Sequence, residues 1–474
     1  MSETKLEKSL SLWDAAAIVA GSMIGSGIFI VSADIARQLQ SPLLLLITWV
    51  VAGIMAISAA ICYCEFAASL PEAGGQYVFL KTAWGKKVGF LYGWTLFLVI
   101  QTGAIAAVCF AFGKFFGMLC PIVSSDIKLI NTPHFSVSTL QVFSIGIAML
   151  LTWINARGVK LGVTVQNLFT ATKVIALLGI IICGGFFGIN WETVHSNIAH
   201  VQFPQLHMNL YSAVAIALVG AFFSADSWNN VTFIASEIKD PEKNLPRALM
   251  IGVGGVILLY LLTNIVYLGV LPLEAIQNSA GDIVGATLIQ AIAGDVGKVI
   301  ISIIILISAF GCANGMIMAG ARVYYAMAKD GLFFKSLTQI NEKTHVPETS
   351  LFAQCAWVIL LILSGSYSIL LDFVSFATLL FYIFTISGLF LFRHKCPDIP
   401  RPYKTPFYPY LPIFYCLLAG YVSINLLIFK PLYTWAGLFI VLSGLPVYFV
   451  WQFINKKKAE ALLERPVDLV EDQV

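Results

Sequence analysis

Charge is what this sequence has least of. Only 11% of its 474 residues are Asp, Glu, Lys or Arg, while 59% are hydrophobic. A soluble globular chain carries roughly 25% charged residues. So few charges cannot cover the surface of a soluble protein of this length, and lipid must cover much of it. No low-complexity linker divides the chain, so no soluble domain is expected. The phosphate-loop pattern GxxxxGKS/T is absent, which removes ATP hydrolysis by this chain as an energy source. The nine cysteines form no disulfide framework, because Cys62, Cys64, Cys109, Cys183, Cys312, Cys355 and Cys416 fall in apolar segments, where cysteine acts as a small hydrophobe. His195, His200 and His207 share one loop, but at spacings that match no metal motif. No acid–base pair, nucleophile or metal constellation converges in the pattern, so no enzymatic activity, catalytic residue, metal or cofactor is expected. The net charge of +3 is spread over loops and points to no nucleic acid.

Long apolar runs are what the sequence has instead. Stretches of about 20 apolar residues, the length that crosses a bilayer, occur near 13–39, 42–69, 87–118, 138–156, 162–188, 209–236, 248–271, 297–328, 349–366, 369–393, 409–429 and 433–454. These predict twelve spans and an all-α polytopic membrane protein. Segment 282–293 is short and is expected to lie outside the bilayer as a lid. The polar start MSETKLEKSLSLW, followed by an apolar stretch too long for a cleaved leader, implies insertion by the first span itself. With twelve spans, 22 of the 28 Lys and Arg fall on the side of the termini, five on the other side, and Lys173 inside a span. Positive residues accumulate on the cytoplasmic side, so both termini are expected in the cytoplasm, with 455–474 as a charged tail and the chain in the cell membrane.

Two spans are interrupted. The first reads SLWDAAAIVAGSMIGSGIFIVSADIARQL, with three glycines and two serines within the seven residues Gly21–Gly27. Glycine costs about 1 kcal/mol against alanine inside a helix. Close helix packing through small residues is one reading and a broken helix the other. The sixth span carries FFSADSWNN at its middle, a cluster no lipid-facing helix would hold. Paired interruptions in corresponding spans of two halves point to a transporter built from inverted repeats. Unwound backbone at that depth must line a cavity or be buried in protein. A half-helix N-terminus offers N–H groups to an anion and a half-helix C-terminus offers carbonyls to a cation. Together they suit a zwitterion.

The motifs that carry these features are similar to those of a known family. GSMIGSGIF (21–29), CYCEFAASLPEAGGQY (62–77), SWNNVTFIASEIKDPEKNLPRA (227–248), FGCANG with ARVYYAMAKDG (310–331) and FRHKCPDIPRPYK (392–404) follow one another in order. The chain resembles the amino acid–polyamine–organocation (APC) superfamily, in its L-type amino acid transporter branch. The resemblance implies a LeuT/APC-type fold of five-helix inverted repeats, 13–188 and 209–393, with two added helices at 409–454. It also implies an amino acid site between spans 1, 3, 6 and 8. Carried over, Ser26 and Gly27 would bind the substrate carboxylate through backbone N–H groups. The Met23 and Phe223 carbonyls would accept from the ammonium, and Phe223 would cover the site from outside. Ser22, Asn229, Ser308 and Cys312 would line it, beside the unwound residues Ile24, Gly25, Ser224, Ala225 and Asp226. In animal relatives a cysteine in the loop after span 3 joins a partner glycoprotein; Cys120 sits close to its helix end, and no obligatory glycoprotein partner is expected.

Charged residues within spans carry the mechanism. An ammonium at the bilayer centre costs at least about 2.5 kcal/mol, and Lys173 is too far from either end of the fifth span to snorkel. It can stand in the place of a sodium ion, holding span 1 against span 8, which makes it the expected coupling or gating residue. In similar transporters a lysine here replaces sodium. Asp226 has two readings: a cap accepting from amides near Asn229, or an anion facing the substrate. Many relatives have glycine or another small residue here, while some that accept cationic amino acids have aspartate. Glu65 and Glu237 read as structural partners of loop cations such as Arg157 or Arg247, with a possible part in an inner gate. Asp14 and Asp372 sit at helix starts, which the dipole favours. Trp94, Trp153, Trp357, Trp435 and Trp451 read as interfacial anchors or packing. The expected function is sodium-independent secondary transport of L-amino acids by alternating access, as exchange of neutral or cationic substrates. A proton-coupled symporter is the alternative, and an amino acid sensor or channel a remoter one.

Overall fold

The computed structural model describes residues 6–132, 136–199, 209–364 and 367–463. His200, His207, the Asp372 side chain and the tail beyond 463 lie outside the described residues. The chain is helical almost throughout. Its small sheet is a two-stranded antiparallel ribbon, β1 (Lys128–Asn131) with β2 (Ser136–Ser138), in the loop after the third span.

The first span is two helices, α1 (Leu12–Met23) and α2 (Gly27–Leu39). Ser11 caps α1 in a full capping box with Asp14, which satisfies two of the first free amides. The chain turns at Gln40 in the left-handed region, and Ser41 with Pro42 at the first position starts α3 (Pro42–Ser69). There follow α4 (Gln76–Trp84), α5 (Lys86–Leu119), α6 (Thr139–Ala156) and α7 (Val159–Gly188). The sixth span is α8 (Leu210–Ser224), an unwound stretch, and the single turn α9 (Asn230–Phe233). Then come α10 (Pro241–Val270), α11 (Val284–Ala293), α12 (Asp295–Lys329), α13 (Glu348–Leu363), α14 (Tyr367–Lys395), α15 (Tyr410–Phe429) and α16 (Pro431–Leu463).

Among the described residues, ten helical stretches are long and apolar enough to cross a membrane. The shorter apolar helices α8 and α13 stand where the sixth and ninth spans are expected. α3 has 28 residues, about 42 Å at 1.5 Å per residue, enough to cross a hydrocarbon core of about 30 Å and reach into the interfacial regions on both sides. α11 packs on α2, where Gly285 leaves room for Phe29. The centre is packed through small residues. A Cβ on Gly252 would come within 2.4 Å of Val19, and one on Gly53 within 2.5 Å of Ile257, so α1, α3 and α10 touch backbone to side chain.

Two buried carboxylates fasten the ends of the spans, with partners that differ from those expected. Glu65 is held by Arg393 through two bonds of 2.8 and 2.6 Å, by the Thr405 amide at 2.7 Å, and by Arg401 at 3.7 Å. Glu237 pairs with Arg322 through bonds of 2.7 and 3.1 Å, and both side chains are fully buried. Neither Arg157 nor Arg247 is the partner: Arg157 lies over the Trp153 ring instead. The reason is reach. Arg322 and Arg393 project from α12 and α14 beside the carboxylates, and planar two-point pairing is the geometry a buried carboxylate needs.

Replacing Arg322 by Met leaves Glu237 uncompensated and costs about 3–5 kcal/mol. The melting temperature of the detergent-purified chain should fall markedly, and the double variant with Glu237→Gln should recover most of the loss. Equal melting of the single and double variants contradicts this account.

Candidate substrate site between the two breaks

The two interruptions lie against each other. α1 ends at Met23 and α2 begins at Gly27; α8 ends at Ser224, and the chain stays unwound until Asn230. A Cβ on Gly27 would meet Ser224 Oγ at 2.2 Å, so glycine here sets how near the two breaks come. Ser227 takes a positive φ of 69°, the price of reversing the chain in so few residues.

A helix leaves its last carbonyls without internal donors. Those of α1 are all met by side chains from other helices. Lys173 Nζ donates to Gly21 O at 2.6 Å and to Ile24 O at 2.7 Å. Cys312 Sγ donates to Ser22 O at 2.9 Å, and Tyr260 Oη to Met23 O at 3.0 Å. Tyr260 lies 3.2 Å from Ser224 O as well, so one phenol on α10 touches the C-terminal carbonyls of both half-helices. Lys173 is completely buried and also reaches Ser308 O on α12 at 3.4 Å. Its ammonium therefore links α7, the break in α1, and α12.

The expected site residues divide into two sets. Ser26, Gly27, Phe223 and Asp226 keep partial exposure, and Asn229 and Asp226 border a cavity with Phe223. Ser22, Met23, Ile24, Gly25, Ser224 and Ala225 are buried, as are Ser308 and Cys312, which sit one turn apart on α12 behind the break. Ser22, Ser308 and Cys312 do not line that cavity. Its volume is about 20 Å³, room for roughly one water. The site is thus closed in this conformation. A separate cavity of about 400 Å³ lies beside Lys8, Glu72, Lys81, Lys329 and Asp330, away from both breaks.

Asp226 does not cap the helix that follows. That turn carries no side-chain cap, and the Asp226 carboxylate accepts from Tyr382 Oη on α14 at 2.5 Å. Asn229 Nδ2 donates to Gln76 Oε1 at 2.9 Å, and Gln76 Nε2 to Thr385 Oγ1 at 3.0 Å. Tyr92, Gln101 and Thr378 complete the polar wall of the cavity. The sequence reading missed Tyr260, Tyr382, Gln76, Gln101 and Thr378. Each is an ordinary residue in an apolar or mixed stretch, and only the packing of distant spans gives it a role.

The geometry defines a class: a polytopic helical membrane protein with two discontinuous helices whose breaks lie against each other, with a small cavity beside the second break. Comparison with known proteins makes the class a family. Residues 10–455 match the amino acid permease family. The large neutral amino acids transporter small subunit 2 of Mus musculus is 33% identical over 457 residues, which cover 94% of this chain and 82% of that one. The b(0,+)-type amino acid transporter 1 of Mus musculus is 31% identical over 469 residues, covering 98% and 92%. The Asc-type amino acid transporter 1 of Rattus norvegicus is 29% identical over 456 residues, covering 95% and 82%. The chain belongs to the amino acid permease family, and it is a multi-pass amino acid transporter.

Tyr260→Phe removes the hydroxyl that bridges the two breaks and little else. A hydrogen bond between membrane helices is worth about 0.6–1.7 kcal/mol, so apparent KM should rise about three- to twentyfold with the melting temperature near wild type. An unchanged KM contradicts the bridging role.

Proposed function

We propose that this chain is a sodium-independent exchanger of L-amino acids in the cell membrane, working by alternating access with both termini in the cytoplasm. The observation that carries the reading is the Lys173 ammonium bound to Gly21 O and Ile24 O. A fixed cation at the end of the broken helix does by covalent attachment what a bound metal cation would do by coordination: it neutralises the carbonyl dipoles that converge there. With that charge built in, no sodium ion is needed to complete the site.

In this reading the two repeats, 13–188 and 209–393, contribute one break each. The free N–H groups at the start of α2, from Ser26 and Gly27, take the substrate carboxylate. The Phe223 carbonyl takes the ammonium, while Met23 O shares its lone pairs with Tyr260. Phe223 covers the cavity and moves to admit substrate. The side chain of the amino acid points toward Asp226, Asn229 and the polar wall of the cavity. Glu65 with Arg393 and Glu237 with Arg322 form the closing contacts of the cytoplasmic end. The names of the relatives, for large neutral, b(0,+)-type and Asc-type transport, support an amino acid substrate and a range from neutral to cationic. The chain acts without a glycoprotein partner.

Lys173→Ala should suppress transport in liposomes while the protein still folds, as read from an unchanged elution volume; unchanged exchange rates would sink the reading. For the side-chain pocket, Asp226→Asn should lower the uptake of radiolabelled arginine relative to that of alanine. If both substrates behave as with the wild type, Asp226 serves only to hold Tyr382.

A further inference from the structure

α1 and α7 run side by side in the same direction, joined by polar side chains at one-turn intervals. All the donors belong to α7 and all the acceptors to α1. Asn167 Nδ2 donates to Asp14 Oδ1 at 2.6 Å, Thr170 Oγ1 to Ala17 O at 3.1 Å, and Lys173 Nζ to Gly21 O and Ile24 O. The donors step by three along α7 and the acceptors by three and four along α1, so each set occupies one helical face. Gly21 permits the approach. A Cβ there would come within 2.0 Å of Gln166 Nε2 and 2.3 Å of Thr170 Oγ1.

This arrangement is more than helix packing requires. Membrane helices associate through small residues and dispersion alone, and α1 already packs that way on α10 at Gly252. The row facing α7 is also graded in depth. Lys173 is completely buried, Thr170 is 5% exposed, and Asn167 and Asp14 are partly exposed. Its outer members can exchange a protein partner for water one at a time, beginning at Asp14, while the inner ammonium stays bound. A purely apolar seam has no such sequence of partial openings. At the same end, Leu10 pairs through its backbone with Glu237 and Lys239, which ties the chain just before α1 to the end of the sixth span.

We propose that Asn167, Thr170 and Lys173 form a polar zipper with Asp14, Ala17 and the α1 terminus, and that Asn167 and Thr170 are positioning residues that set how often α1 parts from α7. The proposal rests on the alternating-access reading above, since parting of α1 is what would open the site toward the cytoplasm. Loss of one outer tooth should raise the population of the parted state about threefold, the average worth of one side-chain bond between membrane helices.

The test is hydrogen–deuterium exchange of the backbone amides of 12–20 in the full chain held in lipid nanodiscs. Thr170→Val keeps the shape and removes the hydroxyl, Asn167→Leu removes the outer amide, and Thr170→Ser keeps the hydroxyl. Exchange over 12–20 should quicken about threefold in each of the first two variants, stay at the wild-type rate in Thr170→Ser, and stay unchanged in α12. In oriented vesicles the ratio of apparent KM at the outer face to that at the cytoplasmic face should rise by the same factor, which a merely structural role would not produce. Unchanged exchange over 12–20 in both variants, with folding retained, overturns the zipper. Faster exchange in a protein that carries no amino acid upholds the zipper and defeats the transport reading, so the two fail separately.

Discussion

A single buried ammonium determines the arrangement of everything around it. Placing Lys173 inside the protein carries a desolvation cost of several kcal/mol. It is offset by backbone carbonyls, those of Gly21 and Ile24, at the end of a helix whose dipole is negative there. The carbonyls can converge only because the helix stops. The ammonium, in turn, removes the electrostatic penalty of stopping it in the membrane. Break and lysine therefore explain each other, and altering either leaves a cost with nothing to offset it.

The neighbouring features follow from that pairing. Once α1 ends at Met23, Ser22 O and Met23 O also need donors, which Cys312 and Tyr260 supply. Because Tyr260 also meets Ser224 O, the break in the sixth span is positioned from the break in the first. Gly27 lets the two come within contact. The cavity beside the second break, with Phe223, Asp226 and Asn229 on its wall, is small and has both polar and apolar walls. At the periphery the Glu65–Arg393 and Glu237–Arg322 pairs tie α3 to α14 and the end of the sixth span to α12. The Glu237–Arg322 pair is fully buried and Glu65 is fully buried against a partly exposed Arg393, so removing one partner of either is costly.

Much of this was legible in the sequence, for reasons that can be stated residue by residue. Spans appear as apolar runs because lipid demands them. The breaks at Gly21–Gly27 and FFSADSWNN appear because glycine, serine, aspartate and asparagine have no reason to interrupt an apolar helix. Lys173 was conspicuous as a charge far from both ends of its span. What stayed hidden were pairings across long separations. Arg393 and Glu65 are 328 residues apart, and Tyr382 and Asp226 are 156 apart. Local pattern holds no trace of such contacts, so Arg157 and Arg247 stood in for Arg393 and Arg322, and neither reading of Asp226, a cap or an anion facing the substrate, included the bond to Tyr382. Tyr260 was invisible for the same reason: a tyrosine in an apolar span reads as packing until the two carbonyls it touches are known.

The most direct measurement of the central claim is uptake of radiolabelled alanine by the purified chain in liposomes, with choline replacing sodium and no proton gradient. A site completed by Lys173 predicts uptake when unlabelled amino acid is inside, none when the vesicles are empty, and no change on restoring sodium. Uptake into empty vesicles that follows a proton gradient, or uptake that requires sodium, would contradict it.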